Sequence, residues 1–406
     1  MITYGSTKYG TMAVDWEERF NPWRMREERV KKAKRALADS DVDALFVFKY
    51  EDVRYLTGHR THMGPTFFFG LASAVLAEGE DPVCYTMDMD HSLARETWLR
   101  EDQVRLAPAL GDVGGIKKWA EDAKELLAPN VSKIGVDIWT PDLLKVLPEV
   151  FPNVEFVDGN KVLANAKIIK TEDELHCLRQ AYSITAAGFQ AALDFLKPGV
   201  RECEVLAVAW AEFTAKGSEW TQCSNIICSG PYTAPYRRFT SDRIIQEGDL
   251  VIIDIGACYN GYWGDFTRTY ICGDIEATEE QKEVHQDAYD AIWSAAEVCK
   301  PGNTNLDIVR AVPERNNLGG VLGHGSGVNP WEEPGINSAY EEEIVLKPGM
   351  QFNIEPYAGN PEIGYGVRLE NNFIITEDGC ELYSTLPFDK RLLNNINPLD
   401  PTTGRK

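Results

Sequence analysis

Leu250–Ile255 reads Leu-Val-Ile-Ile-Asp-Ile, a β-rich apolar run with one carboxylate, Asp254, inside it. Tyr259-Asn260-Gly261 is turn chemistry, and a second strand carrying Asp265 follows. The stretch therefore predicts a hairpin with both aspartates in paired strands. For either residue alone, a turn cap or a solvated side chain is an adequate account. The other account is pairing or metal binding, because an ionised carboxylate in a buried strand is otherwise costly.

Upstream, periods of two and 3.6 alternate. Helical patterns cover 24–38, 116–127 and Pro141–Val150; strand patterns cover 44–48, 66–76, 83–87, Lys133–Val136 and 154–157. Residues 1–22 read as irregular. Strand–helix alternation predicts an α/β domain over residues 1–163. It has no Gly-rich loop at a strand–helix junction, which argues against nucleotide binding. A second domain is expected over 164–406. Thr171 caps an acidic first turn and opens a helix to about 195, and a second helix follows over 202–216. The polar stretch 229–238 reads as a hinge-like connection. Helices near 278–298 and 304–311 lead into a Gly-rich segment around His324 and two further carboxylate strands.

Those last strands repeat the first hairpin. Gly248 and Gly349 are 101 residues apart, as are Asp254 and Glu355; Asp265 and Glu370 are 105 apart. Lys197-Pro198-Gly199 returns as Lys300-Pro301-Gly302. Near-equal offsets imply an internal duplication, each half contributing helices and a carboxylate-bearing hairpin. A two-fold arrangement would bring four acidic side chains together. Four carboxylates repel without cations, so a metal is the economical explanation. His324, glycine-flanked on both sides, adds one imidazole to four carboxylates. That set suits two divalent ions of intermediate hardness: manganese, iron, cobalt or zinc.

Composition narrows the partners. The net charge of −22 argues against nucleic-acid backbones and anionic membrane surfaces. Nine cysteines, without a Cys-x-x-Cys pair, read as small core residues of a reducing cytoplasm. The first residues carry no apolar signal region.

With Asp254, Asp265, His324, Glu355 and Glu370 come Gly-Asp-Leu-Val-Ile-Ile-Asp-Ile-Gly, Asp-Phe-Thr-Arg-Thr, Gly-His-Gly-Ser-Gly, Glu-Pro and Arg-Leu-Glu. Over about 165–390 this resembles the pita-bread metalloenzymes: methionine aminopeptidases, prolidases, aminopeptidases P, creatinases and some dimethylsulfoniopropionate lyases. The N-terminal α/β domain resembles the creatinase/prolidase branch. The resemblance implies an α+β pita-bread catalytic domain with a pseudo-two-fold duplication. It implies two ions bridged by Asp265 and Glu370, with Asp254 on one and His324 and Glu355 on the other. It also implies a homodimer in which the N-terminal domain of one subunit reaches the other's site. His59, Arg60 and His62 are the candidates for that contribution, a solvated loop being the alternative.

The departures bear on the reaction. Tyr236 and Trp331 stand where peptidase members carry histidines that hold the peptide and move protons. Tyrosine is a poor acid–base at neutral pH and tryptophan accepts no proton. The expectation is therefore a metal-dependent hydrolase that breaks a C–N bond in a small polar or zwitterionic substrate. Tyr236, Glu332 and Glu333 are its candidate catalytic groups. Trp220, Tyr232, Tyr236 and Trp331 could ring a cationic group, and Arg237, Arg238 and Arg368 a carboxylate; packing is the alternative for each aromatic. A lyase breaking a C–S bond stays open, although Pro330 stands where that branch has an acid–base Asp. An Xaa-Pro dipeptidase stays open too. So does a catalytically inactive binding or scaffold protein, though loss of ligands usually marks that class and all five are present.

Overall fold

A computed structural model of the chain describes residues 2–4, 20–60, 72–87, 99–108, 111–221, 225–236, 238–314, 318, 321–360, 362 and 364–402. The chain divides into two compact units. Phe20–Lys167 is one of them. Its six-stranded mixed sheet runs, edge to edge, Val104–Leu106, Val83–Thr86, Ala72–Ala77, Ala44–Val47, Lys133–Val136 and Glu155–Asp158. Every residue of Ala44–Val47 is buried, which is why that stretch is apolar without alternation. Trp119, on helix Val113–Lys124, packs edge-on to Phe46 at 4.9 Å. Burying a side chain of that size contributes roughly 3 kcal/mol. Helix Pro22–Ala38 starts where Asn21 accepts from the Trp23 and Arg24 amides and Pro22 fills the first turn. The sequence pattern does not predict helices Tyr50–Thr57 and Asn160–Lys167, the second of which spans the expected domain boundary at 163/164.

The other unit contains Ile168–Lys406. Its duplication is visible element by element. Helices Glu172–Phe195 and Glu202–Ala215 have counterparts in Glu279–Glu297 and Asn305–Ala311. Strands Ile226–Ser229, Leu250–Ile255 and Phe266–Ile271 form an antiparallel triplet with Leu250–Ile255 central. Val321–Gly325, Gln351–Ile354 and Asn371–Ile375 form the same triplet with Gln351–Ile354 central. Inside each main hairpin sits a smaller one: Cys258–Tyr259 with Tyr262–Trp263, and Tyr357–Asn360 with Tyr365–Arg368. Even the lone bridges repeat, Arg201 to Ile244 and Thr304 to Val345. Gly248 and Gly349, at the turns leading into the central strands, both have φ +85°. The second half is enlarged by strands Glu332–Asn337 and Cys380–Leu382, with Ile2–Tyr4 added parallel to the latter.

Three expectations need correction. Ile2–Tyr4 is a strand, not irregular. Ile226–Ser229, partly inside the stretch read as a hinge, is a fully buried strand. Only Asp254 lies within a strand; Asp265 directly precedes Phe266–Ile271. The inserted small hairpin ends the main ladder at Ile255 opposite Phe266, so Asp265 falls at the joint.

Candidate metal centre

The joints between main and inserted hairpins are where the acidic residues sit. Glu355 directly follows Gln351–Ile354, and Glu370 directly precedes Asn371–Ile375. A ladder that ends at such a joint lets a side chain leave the sheet's alternation and turn inward. The result is convergence. Carboxylate oxygens of Asp254, Asp265 and Glu370 lie within 4.8 Å of one another. The Nε2 atom of His324 is 3.3 Å from Glu355 Oε1 and 3.6 Å from Asp265 Oδ2. All five side chains are buried.

His324 is fixed by its strand and its neighbours. It pairs with Asn353, and its Nδ1 is 2.8 Å from the Gly325 carbonyl. A carbonyl only accepts, so Nδ1 carries a proton, and Nε2 is the nitrogen that faces the carboxylates. The flanking glycines are required by backbone approach. A Cβ on Gly323 would lie 1.9 Å from the Asn353 carbonyl oxygen, and one on Gly325 2.4 Å from that of Glu333.

One cation stands within the acidic set. Arg368, itself buried, donates to Glu355 Oε2 and lies 3.7 Å from Asp254 Oδ2. Tyr236 donates its hydroxyl to Asp254 Oδ2, and the Arg368 guanidinium lies over its ring. Burial would raise the Glu355 carboxyl, but Arg368 and His324 outweigh it and hold the group down at about 2. Glu370 goes the other way. Burial, then Asp265, Glu355 and Asp254, push it well above the ordinary carboxylate range. Burial also raises Asp254, against the pull of Arg368. His324 is raised, because Glu355 and Asp265 overcome the cost of burying its charge. Burial and Asp254 push the Tyr236 phenol well above its usual value.

Four buried carboxylates around one arginine are under-neutralised. Glu355 Oε1 and His324 Nε2 are buried, face each other, and have no hydrogen-bond partner. Two inward-facing buried polar atoms without a hydrogen-bond partner, beside three converging carboxylates, fit divalent ions.

The other candidates are distributed as follows. Trp331 stacks on the His324 ring, centroids 4.7 Å apart, and is 59% exposed. Glu332, expected as a substitute acid–base, is instead buried in an ion pair with Lys170 at 3.0 Å and accepts from the Asn329 amide. Glu333, expected likewise, accepts from the Gly335 amide. Arg368, expected to hold substrate, is inside the carboxylate set. Arg238 is committed to the buried Glu202, with its guanidinium 4.2 Å over the exposed Tyr232 ring. Trp220 is half-buried, and its carbonyl accepts from the Cys258 amide. In the N-terminal unit His59 is buried and Arg60 exposed. Arg237 and His62 lie outside the described residues. The sequence reading passed over Thr267 and Asn372, both of which donate to Glu370, and Lys170. The signal for the first two was their matching place in the repeat, each two residues after its carboxylate.

The geometry, with the family match that follows, defines a metal-dependent hydrolase. Residues 176–377 match metallopeptidase family M24, and residues 29–169 match the creatinase/prolidase N-terminal domain. The chain belongs to that metallopeptidase family. It is 30% identical, over 363 residues, to an Xaa-Pro dipeptidase of Pyrococcus furiosus, covering 87% of this chain and 97% of that one. The prolidase of Pyrococcus horikoshii OT3 superposes with a TM-score of 0.74 at 27% identity, covering 89% of this chain and 99% of that one. An Xaa-Pro dipeptidase from Bacillus anthracis shares the fold, with a TM-score of 0.76 at 24% identity, covering 90% and 99%. Among the described residues no helix is long and apolar enough to cross a membrane.

Proposed function

We propose that the chain uses two divalent ions to hydrolyse a C–N bond in a small polar or zwitterionic substrate, and that it is not an ordinary Xaa-Pro dipeptidase. Asp254, Asp265, His324, Glu355 and Glu370 would hold the ions, whose chemistry is Lewis-acid polarisation of a substrate oxygen and activation of a water. The chain's own side chains do the rest. Arg368 fixes Glu355 Oε2 and leaves Oε1 turned toward His324, so that Oε1 and the imidazole would face the same ion. Tyr236 spends its hydroxyl hydrogen on Asp254. Trp331 covers the outer face of His324, which keeps water off that side, and its own open face suits a flat or cationic substrate group.

One observation carries the reading. Trp331 lies flat on the His324 imidazole, at the position where the family resemblance implies a histidine in peptidase members. Indole accepts no proton, and Glu332 is occupied by Lys170. A leaving amine is therefore without the usual proton donor at this point. The Xaa-Pro dipeptidase reading has a specific support of its own, the 30% identity over nearly the whole Pyrococcus furiosus protein of that name. The C–S lyase reading is weaker, because Glu332 and Glu333 are both engaged in building the loop.

The test is purified protein loaded with Mn²⁺ or Co²⁺, offered Xaa-Pro dipeptides, creatine-like amidines, and sulfonium or ammonium zwitterions. Release of ammonia or an amine from the amidines or ammonium zwitterions supports the proposal, whereas cleavage of the sulfonium zwitterions alone supports the C–S lyase reading instead. Xaa-Pro turnover at about 10 s⁻¹ or faster, the ordinary enzyme range, refutes it. A cytoplasmic homodimer, with His59, Arg60 and His62 of one subunit serving its partner's site, completes the proposal. Sedimentation and a His59→Ala rate measurement test it.

A further inference from the structure

Thr267 and Asn372 are 105 residues apart, the same offset that separates Asp265 from Glu370. They are equivalent positions of the two halves, each two residues beyond a carboxylate. A symmetric site would have each hold its own acid. The structure is not symmetric in this respect: both side chains donate to Glu370, one to each oxygen. Thr267 Oγ1 is 3.0 Å from Glu370 Oε2, and Asn372 Nδ2 is 3.0 Å from Glu370 Oε1.

The clamp is anchored on both sides. The Glu370 amide donates to the Thr267 carbonyl at 3.0 Å. Arg268, fully buried with its guanidinium between the Phe266 and Phe388 rings, donates to the carbonyls of Glu370 and Thr267. The same Asn372 Nδ2 lies 3.0 Å from the Asp265 carbonyl and 2.7 Å from Asn353 Oδ1, so its two hydrogens are shared among three acceptors. Gln351 donates to that same Asn353 oxygen and to the Tyr383 hydroxyl. The repeat equivalents of Gln351 and Asn353 are Leu250 and Ile252, both apolar core residues. Only the second half carries the amide chain, so it was not needed to build the hairpin.

We infer that Thr267 and Asn372 are positioning residues that orient the Glu370 carboxylate for bridging two ions before either ion arrives. Both oxygens of a bridging carboxylate must point outward in one plane, and a donor on each oxygen fixes that plane. Partners of this kind commonly change metal affinity by about 10- to 100-fold. The inference rests on the dinuclear reading above.

Mn²⁺ binding to the metal-free parent, Thr267→Val, Thr267→Ser and Asn372→Ala, followed by calorimetry, tests it alongside thermal unfolding of the same metal-free proteins. Valine keeps the shape of threonine and removes the hydroxyl; should Asn372→Ala fail to fold, Thr267→Val alone decides. Thr267→Val and Asn372→Ala should bind Mn²⁺ about 10- to 100-fold more weakly, with Thr267→Ser restoring the parent's affinity. A purely structural role would lower the unfolding temperature and leave the Mn²⁺ affinity of the folded protein unmoved. Parent-like affinity in Thr267→Val overturns the clamp alone. A parent that binds no Mn²⁺ overturns the clamp and the dinuclear reading together.

Discussion

Replacing His285 with leucine should remove one cause of acid lability. His285 lies on helix Glu279–Glu297, fully buried, with the Phe388 ring edge-on at 6.5 Å. Neither ring nitrogen has a hydrogen-bond partner. Burial pushes its pKa down to about 3, Asp389 opposing and Arg268 assisting. In the unfolded chain the ring titrates at about 6.5. A depressed folded-state value means the unfolded state binds more protons in the window between. The associated stability is fully present above about pH 6.5 and is lost as pH falls toward about 3. Between about pH 7.5 and about pH 5 the loss is about 2 kcal/mol, because the unfolded ring is then largely protonated and the folded one is not. Urea unfolding of the metal-free parent and of His285→Leu, each at both pH values, isolates this group, since the carboxylates contribute to both proteins alike. The variant should lose about 2 kcal/mol less than the parent on acidification. It should also gain about 1 kcal/mol at neutral pH, where the buried ring is unsatisfied. Equal acid sensitivity of the two proteins would refute the reasoning.

Other outcomes follow from the metal centre. Tyr236→Phe removes a donor from Asp254 and should keep the ions while slowing or accelerating turnover about tenfold; wild-type kinetics would show that the hydroxyl does nothing in the reaction. Arg368→Met leaves Glu355 and Asp254 without their cation, so the metal-free protein should lose roughly 3–5 kcal/mol in urea melts, with Mn²⁺ recovering much of it. Joint Tyr236→His and Trp331→His replacement should raise Xaa-Pro dipeptide hydrolysis at least about tenfold over the parent, imidazoles being the acid–base groups that are missing. No gain in that assay would detach the substrate preference from those two positions.

The duplication was legible because it is written in fixed offsets: equal spacing of Gly248 and Gly349, and of Asp254 and Glu355, gave the paired hairpins directly. The long capped helix from Thr171 was equally plain, since an N-cap and acidic first turn are local signals. Ile226–Ser229 was not, because a short fully buried strand carries no alternation and Gly230-Pro231 imitates a loop. Asp265 was placed in a strand because an inserted two-residue hairpin shifts the joint without altering the apolar pattern. Among the site residues, Glu332 and Arg368 were assigned by chemistry alone. Their true neighbours, Lys170 for one and Glu355 with Asp254 for the other, are set by packing that no local pattern records.

Counting the ions is the most direct test of the central claim. Parent, Asp265→Ala and Glu370→Ala chains, each saturated with Mn²⁺ or Co²⁺ and dialysed, can be compared by elemental mass spectrometry. The account predicts about two ions per parent chain and none in either variant, because each lost carboxylate would bridge both. A parent chain that retains no ion, or variants that retain the full complement, would contradict it.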